Sequence, residues 1–482
     1  MITTVQDPLN TSMRDILAKQ KADHLRDGAP SLAKRIDWLD RCIGLLVDYS
    51  TEIEQALMAD FGARSADATR FTDVAGSIGP LKHAKAHVAK WMKTEKHKTS
   101  PAILGLFGAK AEVQYQPKGV VGVISPWNFP VNLTFAPLAG ILAAGNRAMI
   151  KPSEFTPATS ALMAKMFASV FSEEEIAVVT GGPEIGQEFS SLAFDHLIFT
   201  GATSVARHVM RAAAENLVPL TLELGGKSPV ILGKSADYAT AAARVMNGKT
   251  LNAGQICLAP DYVLTPEDKL ETFIGEAQGA VAKMFPTLKD NPDYTAIVAQ
   301  RHYDRIMGYV EDARSKGARI VEINPAEEDF SQQEHRRIPP TLIINPTDDM
   351  KVMQEEIFGP VLPVKTYKTV QDAIGYVNAH DRPLGLYYFG DDAAERDLVL
   401  NSTTSGGVTV NDVIMHITQE ELPFGGVGPA GMGSYHGFDG FKEFSHRKAV
   451  YTQIKKDIGP LVQMRPPYGP GIRKYLASQL KR

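Results

Sequence analysis

Apolar residues recur at helical spacing through the first hundred positions. Ile36, Leu39, Ile43, Leu46 and Val47 fall on one helix face, and Gly62 is placed to stop the following helix, TEIEQALMADF. Low glycine and mixed charge extend this helical layer to about Lys98. From Gln114 the texture changes. Short β-rich runs alternate with Ala-rich helical stretches: GVVGVIS, LAGILAAG, RAMIKPS, ATSALMAKMFASV, IAVVTGG, EIGQEFSSL, HLIFTG, VARHVMRAAAEN and PLTLELGG. This alternation predicts an α/β fold with a parallel sheet covered on both faces. Turns at Gly181-Gly182 and Gly201 stand where such sheets bind nucleotides, at the carboxyl ends of strands. A doubly wound sheet without a cofactor would carry the same pattern. A second alternating region predicts strands in SPVILG, DYVLT, RIPPTLIIN, VLPVKTY, LGLYYFG and GGVTVND, with helices such as HYDRIMGYVEDARSKG and VQDAIGYVNAH between them.

Composition narrows the class. A chain of 482 residues has room for two or three domains, and 44% hydrophobic with 22% charged residues is ordinary for a soluble globular protein. A net charge of −4 offers nucleic acid no electrostatic footprint. The start, MITTVQDPLN, lacks the apolar core of a secretory signal. The longest apolar region, FPVNLTFAPLAGILAAG, is broken by Asn132, Pro137 and glycines, so it reads as a buried helix; a membrane span takes roughly 20 apolar residues. No membrane partner is expected. Cys42 and Cys257 are too few for a disulfide framework, which points to a reducing, cytoplasmic setting. The last stretch, from Lys455, carries seven basic residues and one acidic, and is expected as an extended tail packing on the body or on a partner subunit.

Three residues are candidates for chemistry. A lone cysteine is ordinarily a small buried hydrophobe. Cys257 in GQICLAPDYV has Gly254 before it and Pro260 after it, which predicts a turn that opens the thiol to a cleft. A depressed pKa there would make it a nucleophile. Glu223 ends an otherwise apolar strand in LELGGKSP, where desolvation would raise its pKa toward that of a general base; a solvated turn carboxylate is the plainer reading. The two lie 34 residues apart, a spacing that permits their pairing without requiring it. Asn128 in SPWNFP sits between two aromatic residues and two prolines. Its amide is either an oxyanion donor, worth roughly 3–4 kcal/mol in acyl-transfer sites, or an Asx-turn that only satisfies backbone groups.

SPWNFP, IKPSE, FTGATSVAR, LELGGKSP, GQICLAP, EEIFGP, GGVTVND and PFGGVG stand in the order found in the aldehyde dehydrogenase superfamily, which the chain resembles from about Asp15 to about Tyr451. APDY after the cysteine, VNDVIMHIT and GMGSYHGFDGFKEFSHRK are most similar to its class-3-like branch, which includes fatty, aromatic and coniferyl aldehyde dehydrogenases. The resemblance implies a Rossmann-like NAD(P)-binding domain (1–98 and 119–225), an α/β catalytic domain (226–427) and a small β oligomerisation arm (99–118 and 443–455), followed by the tail 456–482. In the arm, a hairpin near 99–118 would pair with a strand near 445–455 across the subunit interface of a homodimer. Cys257 becomes the nucleophile, Glu223 the base that activates water, and Asn128 with the Cys257 N–H the oxyanion hole. Lys151 and Glu154 would contact the adenosine ribose, and Glu356 the nicotinamide ribose. Phe358 would lie against the nicotinamide, and FTGATSVAR would start the helix facing the pyrophosphate. Ser125, Trp127, Gly201, Ser204 and Leu224 complete the cofactor contacts.

Two departures from the family pattern stand out. Ala206 replaces a common glycine, and its methyl would alter how closely a diphosphate approaches. Ala430 replaces a frequent serine and is expected to touch packing only. Glu223 argues against an acylating enzyme that transfers to coenzyme A, because such members typically lack it. A catalytically silent paralogue would have lost Cys257, Glu223 or Asn128. Among twelve histidines, His83 and His87 share an i, i+4 spacing, but no carboxylate or cysteine joins them in sequence, so they are read as a solvated helix face and no metal is expected. No local signature of a paired histidine supports a cysteine protease. Glu154 beside the adenosine ribose leans toward NAD, Lys151 leaves NADP open, and a bulky aromatic aldehyde such as coniferyl aldehyde is expected ahead of medium- or long-chain aliphatic ones.

Overall fold

The computed structural model describes residues 8–481; most of the polar start MITTVQDPLN therefore lies outside the described residues. Of these, the residues up to Trp91 cluster with Pro117–Ser445 as one compact unit, and Met92–Gln116 cluster with the residues from His446 onward as a second.

The chain begins as the predicted helical layer. Ser31 caps the helix Leu32–Asp48, its hydroxyl accepting the Lys34 N–H at 3.2 Å. The buried face of this helix is Arg35, Trp38, Leu39, Cys42, Leu45 and Leu46, whereas Val47 is 55% exposed. The face is thus rotated from the expected one. Trp38 sets the rotation: its ring is buried, and its indole N–H is tied to the Glu175 carboxylate at 2.9 Å. Gly62 ends Ser50–Phe61 as expected, at φ +79°, with its N–H donating to the Met58 carbonyl. The helix Gly76–Trp91 completes the layer.

In the second unit, β1 (Glu95–His97) pairs antiparallel with β2 (Lys110–Pro117). The expected hairpin therefore starts earlier, and part of the segment assigned to it is a helix, Ala102–Leu106.

The first large sheet contains β3 (Val120–Ile124), β4 (Arg147–Lys151), β5 (Ile176–Val178), β6 (His196–Thr200) and β7 (Leu220–Glu223), in the order β7-β6-β3-β4-β5 with all neighbours parallel. These are the five expected strands. The chain runs outward one way through β4 and β5 and the other way through β6 and β7. The carboxyl ends of β3 and β6 consequently flank the point where strand order reverses, the place where open α/β sheets bind ligands. The apolar helix Asn132–Ala144 is buried from Leu133 to Ala144, as its lack of a polar face dictates.

The second large sheet holds β8 (Pro229–Leu232), β9 (Tyr262–Pro266), β10 (Arg319–Glu322), β11 (Thr341–Ile344), β12 (Val361–Tyr367), β13 (Gly385–Phe389) and β14 (Gly407–Val410), in the order β10-β11-β12-β9-β8-β13-β14. Strand β10, which alternation did not predict, is the antiparallel edge. Its side chains are exposed or half-buried, so it lacks the apolar run that marks its neighbours. A two-residue strand, β15 (Gly431–Met432), returns to pair antiparallel with β7, Gly431 opposite Glu223. Finally β16 (Ser445–Thr452) lies beside β2 in the order β1-β2-β16. The strand expected to cross a subunit interface pairs within its own chain. The tail ends in the helix Pro470–Gln479, which buries no residue.

Candidate active site

Cys257 follows a strained approach. The helix Tyr238–Thr250 ends, and Asn252 and Ala253 take left-handed backbone angles at φ +49° and +51°. Non-glycine residues there cost free energy and persist only where surroundings over-determine them. Gln255 supplies that determination. Its buried amide donates to the Asn252 and Ala296 carbonyls at 2.9 and 3.1 Å, and its carbonyl oxygen atom Oε1 accepts the Val298 N–H at 3.0 Å. Gly254 has no alternative: a Cβ would stand 2.4 Å from the Gly359 carbonyl oxygen. The turn leaves Cys257 half-buried and free of any disulfide, with the N–H groups of Cys257 and Leu258 directed at the sulfur.

The thiol's acidity departs from expectation. Burial, followed by the charges of Glu356 and Glu223, pushes its pKa up to about 12. A turn alone does not acidify a cysteine; a cation must stand beside it, and here the neighbouring side-chain charges are carboxylates.

Glu223 ends β7 and is 4% exposed, with neither carboxylate oxygen hydrogen-bonded. Burial, with a smaller contribution from Glu443, raises its pKa well above the ordinary carboxylate value. Glu443 itself is held by a buried chain that sequence reading missed: Lys118 Nζ lies 2.9 Å from His196 Nδ1, His196 Nε2 lies 2.8 Å from Thr221 Oγ1, and the Thr221 hydroxyl donates to Glu443 at 2.7 Å. Thr221 shares a strand face with Glu223 because side chains alternate along β7.

The Asn128 side-chain amide donates to the Gln255 carbonyl at 3.1 Å, two residues before the cysteine. One amide hydrogen is thereby engaged and the second is left over. The backbone carbonyl of Asn128 is fixed in turn by Arg64 at 2.8 Å and Asn252 at 3.1 Å. Cys257 and Asn128, from two separate loops, and Glu223, from the end of β7, are thereby brought near one another.

The cofactor candidates divide into two groups. At the ends of β3 and β4, Ser125 is buried and accepts the Thr134 hydroxyl at 2.8 Å, and buried Lys151 pairs with exposed Glu154 at 3.0 Å. Trp127 meets Phe358 edge-on, ring centroids 5.3 Å apart. Gly201 opens the helix Thr203–Ala214, whose first turn exposes Ser204. The Ala206 methyl points away from that end, into the core with Phe189 and Val209, and Ala430 is fully buried. On the opposite side, Glu356 has its pKa raised to about 8, by burial first and Asp261 second, and its Oε1 has no partner. Leu224 is buried with its N–H given to the Ala430 carbonyl. A Cβ on Gly225 would stand 2.2 Å from the Glu356 carboxylate, so any other residue there would displace that carboxylate. One Glu356 oxygen is held by the Gly226 N–H and the other, buried, is left for a hydroxyl donor, so the residues present fit a dinucleotide ribose.

Sequence reading also missed Lys249, Tyr387 and Tyr435. Lys249 is fully buried, its Nζ has no partner, and burial lowers its pKa to about 8. In sequence it is one lysine among many on a helix. Tyr387 donates to the Leu258 carbonyl at 2.6 Å, and Tyr435 lies within electrostatic reach of both Glu223 and Cys257. The histidine pair needs correction. His83 and His87 are half-buried, and Glu421, from 334 positions further along than His87, brings a carboxylate to them; the ligand atoms of all three lie within 4.8 Å of one another. No local spacing reveals a partner so distant.

The profile described as "Aldehyde dehydrogenase family" matches residues 3–450. The chain belongs to the aldehyde dehydrogenase family. It is 76% identical over 470 residues to a protein of Caulobacter vibrioides named "Probable coniferyl aldehyde dehydrogenase", covering 98% of this chain and 97% of that one. It is 55% identical over 465 residues to the "Coniferyl aldehyde dehydrogenase" of a Pseudomonas species, covering 96% and 95%. Among solved structures, the substrate-bound state of Staphylococcus aureus AldH superposes with a TM-score of 0.89 at 34% identity, over 97% of this chain and 99% of that one. This aldehyde dehydrogenase is an oxidoreductase, and no helix of its described residues is long and apolar enough to cross a membrane.

Proposed function

We propose that the chain oxidises an aromatic aldehyde of the coniferyl type to its carboxylic acid, with NAD as cofactor and NADP also accepted. The observation that carries this reading is an unpartnered buried carboxylate, Glu223, within electrostatic reach of the Cys257 thiol, in a chain 55% identical to a coniferyl aldehyde dehydrogenase.

Cys257 releases its proton to solvent and attacks the aldehyde carbon as the thiolate, forming the C–S bond of a thiohemiacetal. The free hydrogen of the Asn128 amide and the Cys257 N–H receive the charge that develops on oxygen. The chemistry the nicotinamide supplies when bound is acceptance of the hydride leaving that carbon, which turns the adduct into a thioester. Glu223 takes a proton from water; the resulting hydroxide adds to the thioester carbonyl, and the C–S bond breaks to release the acid and the thiolate. Lys151 and Glu154 hold the adenosine ribose, and Glu356 the nicotinamide ribose. Trp127, Phe358, Ser125 and Leu224 frame the nicotinamide end, and the helix beginning at Gly201 and Ser204 directs its N-terminus at the pyrophosphate. The first sheet and its helices act as the NAD(P)-binding domain and the second as the catalytic domain. A cytoplasmic homodimer completes the reading. Its support is that β16 is an edge strand, paired on one side only among the described residues, and that both cysteines are free.

Coniferyl aldehyde, benzaldehyde, hexanal and dodecanal are assayed with NAD and with NADP. Coniferyl aldehyde should give the highest kcat/KM; a preference for the aliphatic pair would overturn the substrate, and no reduced cofactor with any of them would overturn the whole reading. Glu223→Gln should slow acid release so that an acyl-enzyme builds up, read as a mass increase on the intact chain.

A further inference from the structure

The cluster His83–His87–Glu421 has no part in the chemistry above, and its donor set is that of a metal site. His83 and His87 project from one face of the helix Gly76–Trp91, one turn apart, with their rings stacked at 4.2 Å between centroids. Histidines at i and i+4 on a helix are a recurring chelating pair. The tautomer of His87 is set for the purpose: its Nδ1 lies 2.8 Å from the His83 carbonyl oxygen, an acceptor only, so Nδ1 carries the proton and Nε2 keeps its lone pair for a ligand. The indole of Trp91 walls both rings, with centroids 5.8 Å from each. On the other side the backbone passes close to His83 at Gly437, φ +49°, where a Cβ would stand 3.6 Å from His83 Nε2 and 2.2 Å from the Glu420 carbonyl oxygen. Glu421 brings the carboxylate from the turn after Met415–Thr418, and the three ligand atoms lie within 4.8 Å of one another.

We propose that these three residues bind one divalent zinc-class cation. Two imidazole nitrogens and one carboxylate favour zinc over magnesium or calcium, which take oxygen ligands. Bonds of about 2.0–2.2 Å bring tetrahedral ligands to within roughly 3.5 Å of each other, a contraction that rotation of exposed Glu421 and the half-buried rings supplies. The carboxylate offsets part of the ion's charge, and water fills the remaining coordination. The bound ion joins the N-terminal helical layer to the turn that leads into PFGGVG, three residues beyond which Gly431 pairs with Glu223. The site is thus a clamp on the loop behind the proposed base.

The test uses the tag-free full chain carrying Cys257→Ser, so that the reactive thiol cannot bind metal, stripped with chelator and titrated with Zn²⁺ by calorimetry and with Co²⁺ by visible absorption. One equivalent should bind, with a cobalt d–d spectrum of nitrogen and oxygen ligation and a Tm that rises with metal concentration. His87→Gln and the surface change Glu421→Gln should each weaken binding roughly tenfold or more, whereas His97→Gln, on another element, should not. Binding of equal strength in the His87 and Glu421 variants, or no binding of either ion at micromolar concentration, overturns the proposal. Should His87→Gln fail to fold, the exposed Glu421→Gln decides it alone.

Discussion

Arg64 and Asp73 are buried as deeply as Glu223, yet the two regions treat charge in opposite ways. Arg64 pairs with Asp73 at 2.6 Å and donates to the Asn128 carbonyl at 2.8 Å, while Asp73 also accepts the Val131 and Asn132 N–H groups at 3.2 and 3.3 Å. Every strong group there is satisfied, and the result is a rigid mount for the SPWNFP turn. Around Cys257 the pattern inverts: both Glu223 oxygens, Glu356 Oε1 and Lys249 Nζ are buried without partners. An unpaired buried polar group costs roughly 1–3 kcal/mol, more if charged. Buried atoms without partners occur elsewhere in the molecule too, Arg41 Nε and Arg337 Nε among them, but around Cys257 they include two carboxylates and an ammonium group.

The contrast can be broken by substitution. Cys257→Ala should lower turnover roughly 10⁴-fold or more while shifting unfolding free energy by less than about 1 kcal/mol; retained turnover sinks the mechanism. Arg64→Met should do the reverse in kind. Leaving Asp73 buried and alone costs roughly 3–5 kcal/mol, measurable by urea unfolding, and a loss below about 1 kcal/mol would deny the pair its structural role. Glu356→Gln tests the other region through pH. Its folded pKa of about 8 exceeds the ordinary 4.5, so the fold holds a proton that the unfolded chain releases above pH 4.5. Stability is therefore lost progressively as pH rises from 4.5 to 8. The variant should match the parent in Tm near pH 4.5 and exceed it increasingly up to pH 8.5; a constant difference would contradict the shift. The smallest effect belongs to Glu443→Gln. Its charge helps to raise the pKa of Glu223, so its removal should move the rising limb of the acid-release rate toward lower pH. An unmoved limb would show that the two carboxylates do not interact.

The same contrast explains what was legible in the chain. Strands β3 to β9 and β11 to β13 were readable because a strand buried on both faces must be a continuous apolar run between turn residues; β14, half-buried to exposed, was read from its β-branched run between glycines and Asn411. Exposed β10 and two-residue β15 carry no such run, and the helix Leu32–Asp48 turned its Trp38 face inward although its aliphatic residues were aligned elsewhere. Cys257, Glu223 and Asn128 were candidates beside glycine and proline, each with a plainer local reading, and their roles came from the resemblance of their motifs to the family. The acidity of Cys257 could not be read there, because it depends first on burial and then on Glu356 and Glu223 arriving from distant segments.

By itself, the sequence determined the alternation of strands and helices, the turns and the side chains with reactive atoms, since those follow from local periodicity and residue chemistry. Only the tertiary structure decided which of those atoms share a space: Glu443 beside Glu223, Lys249 stripped of water, Glu421 against two histidines more than three hundred positions away. Desolvation and Coulomb interaction act through distance in space, and separation along a chain carries almost no record of it.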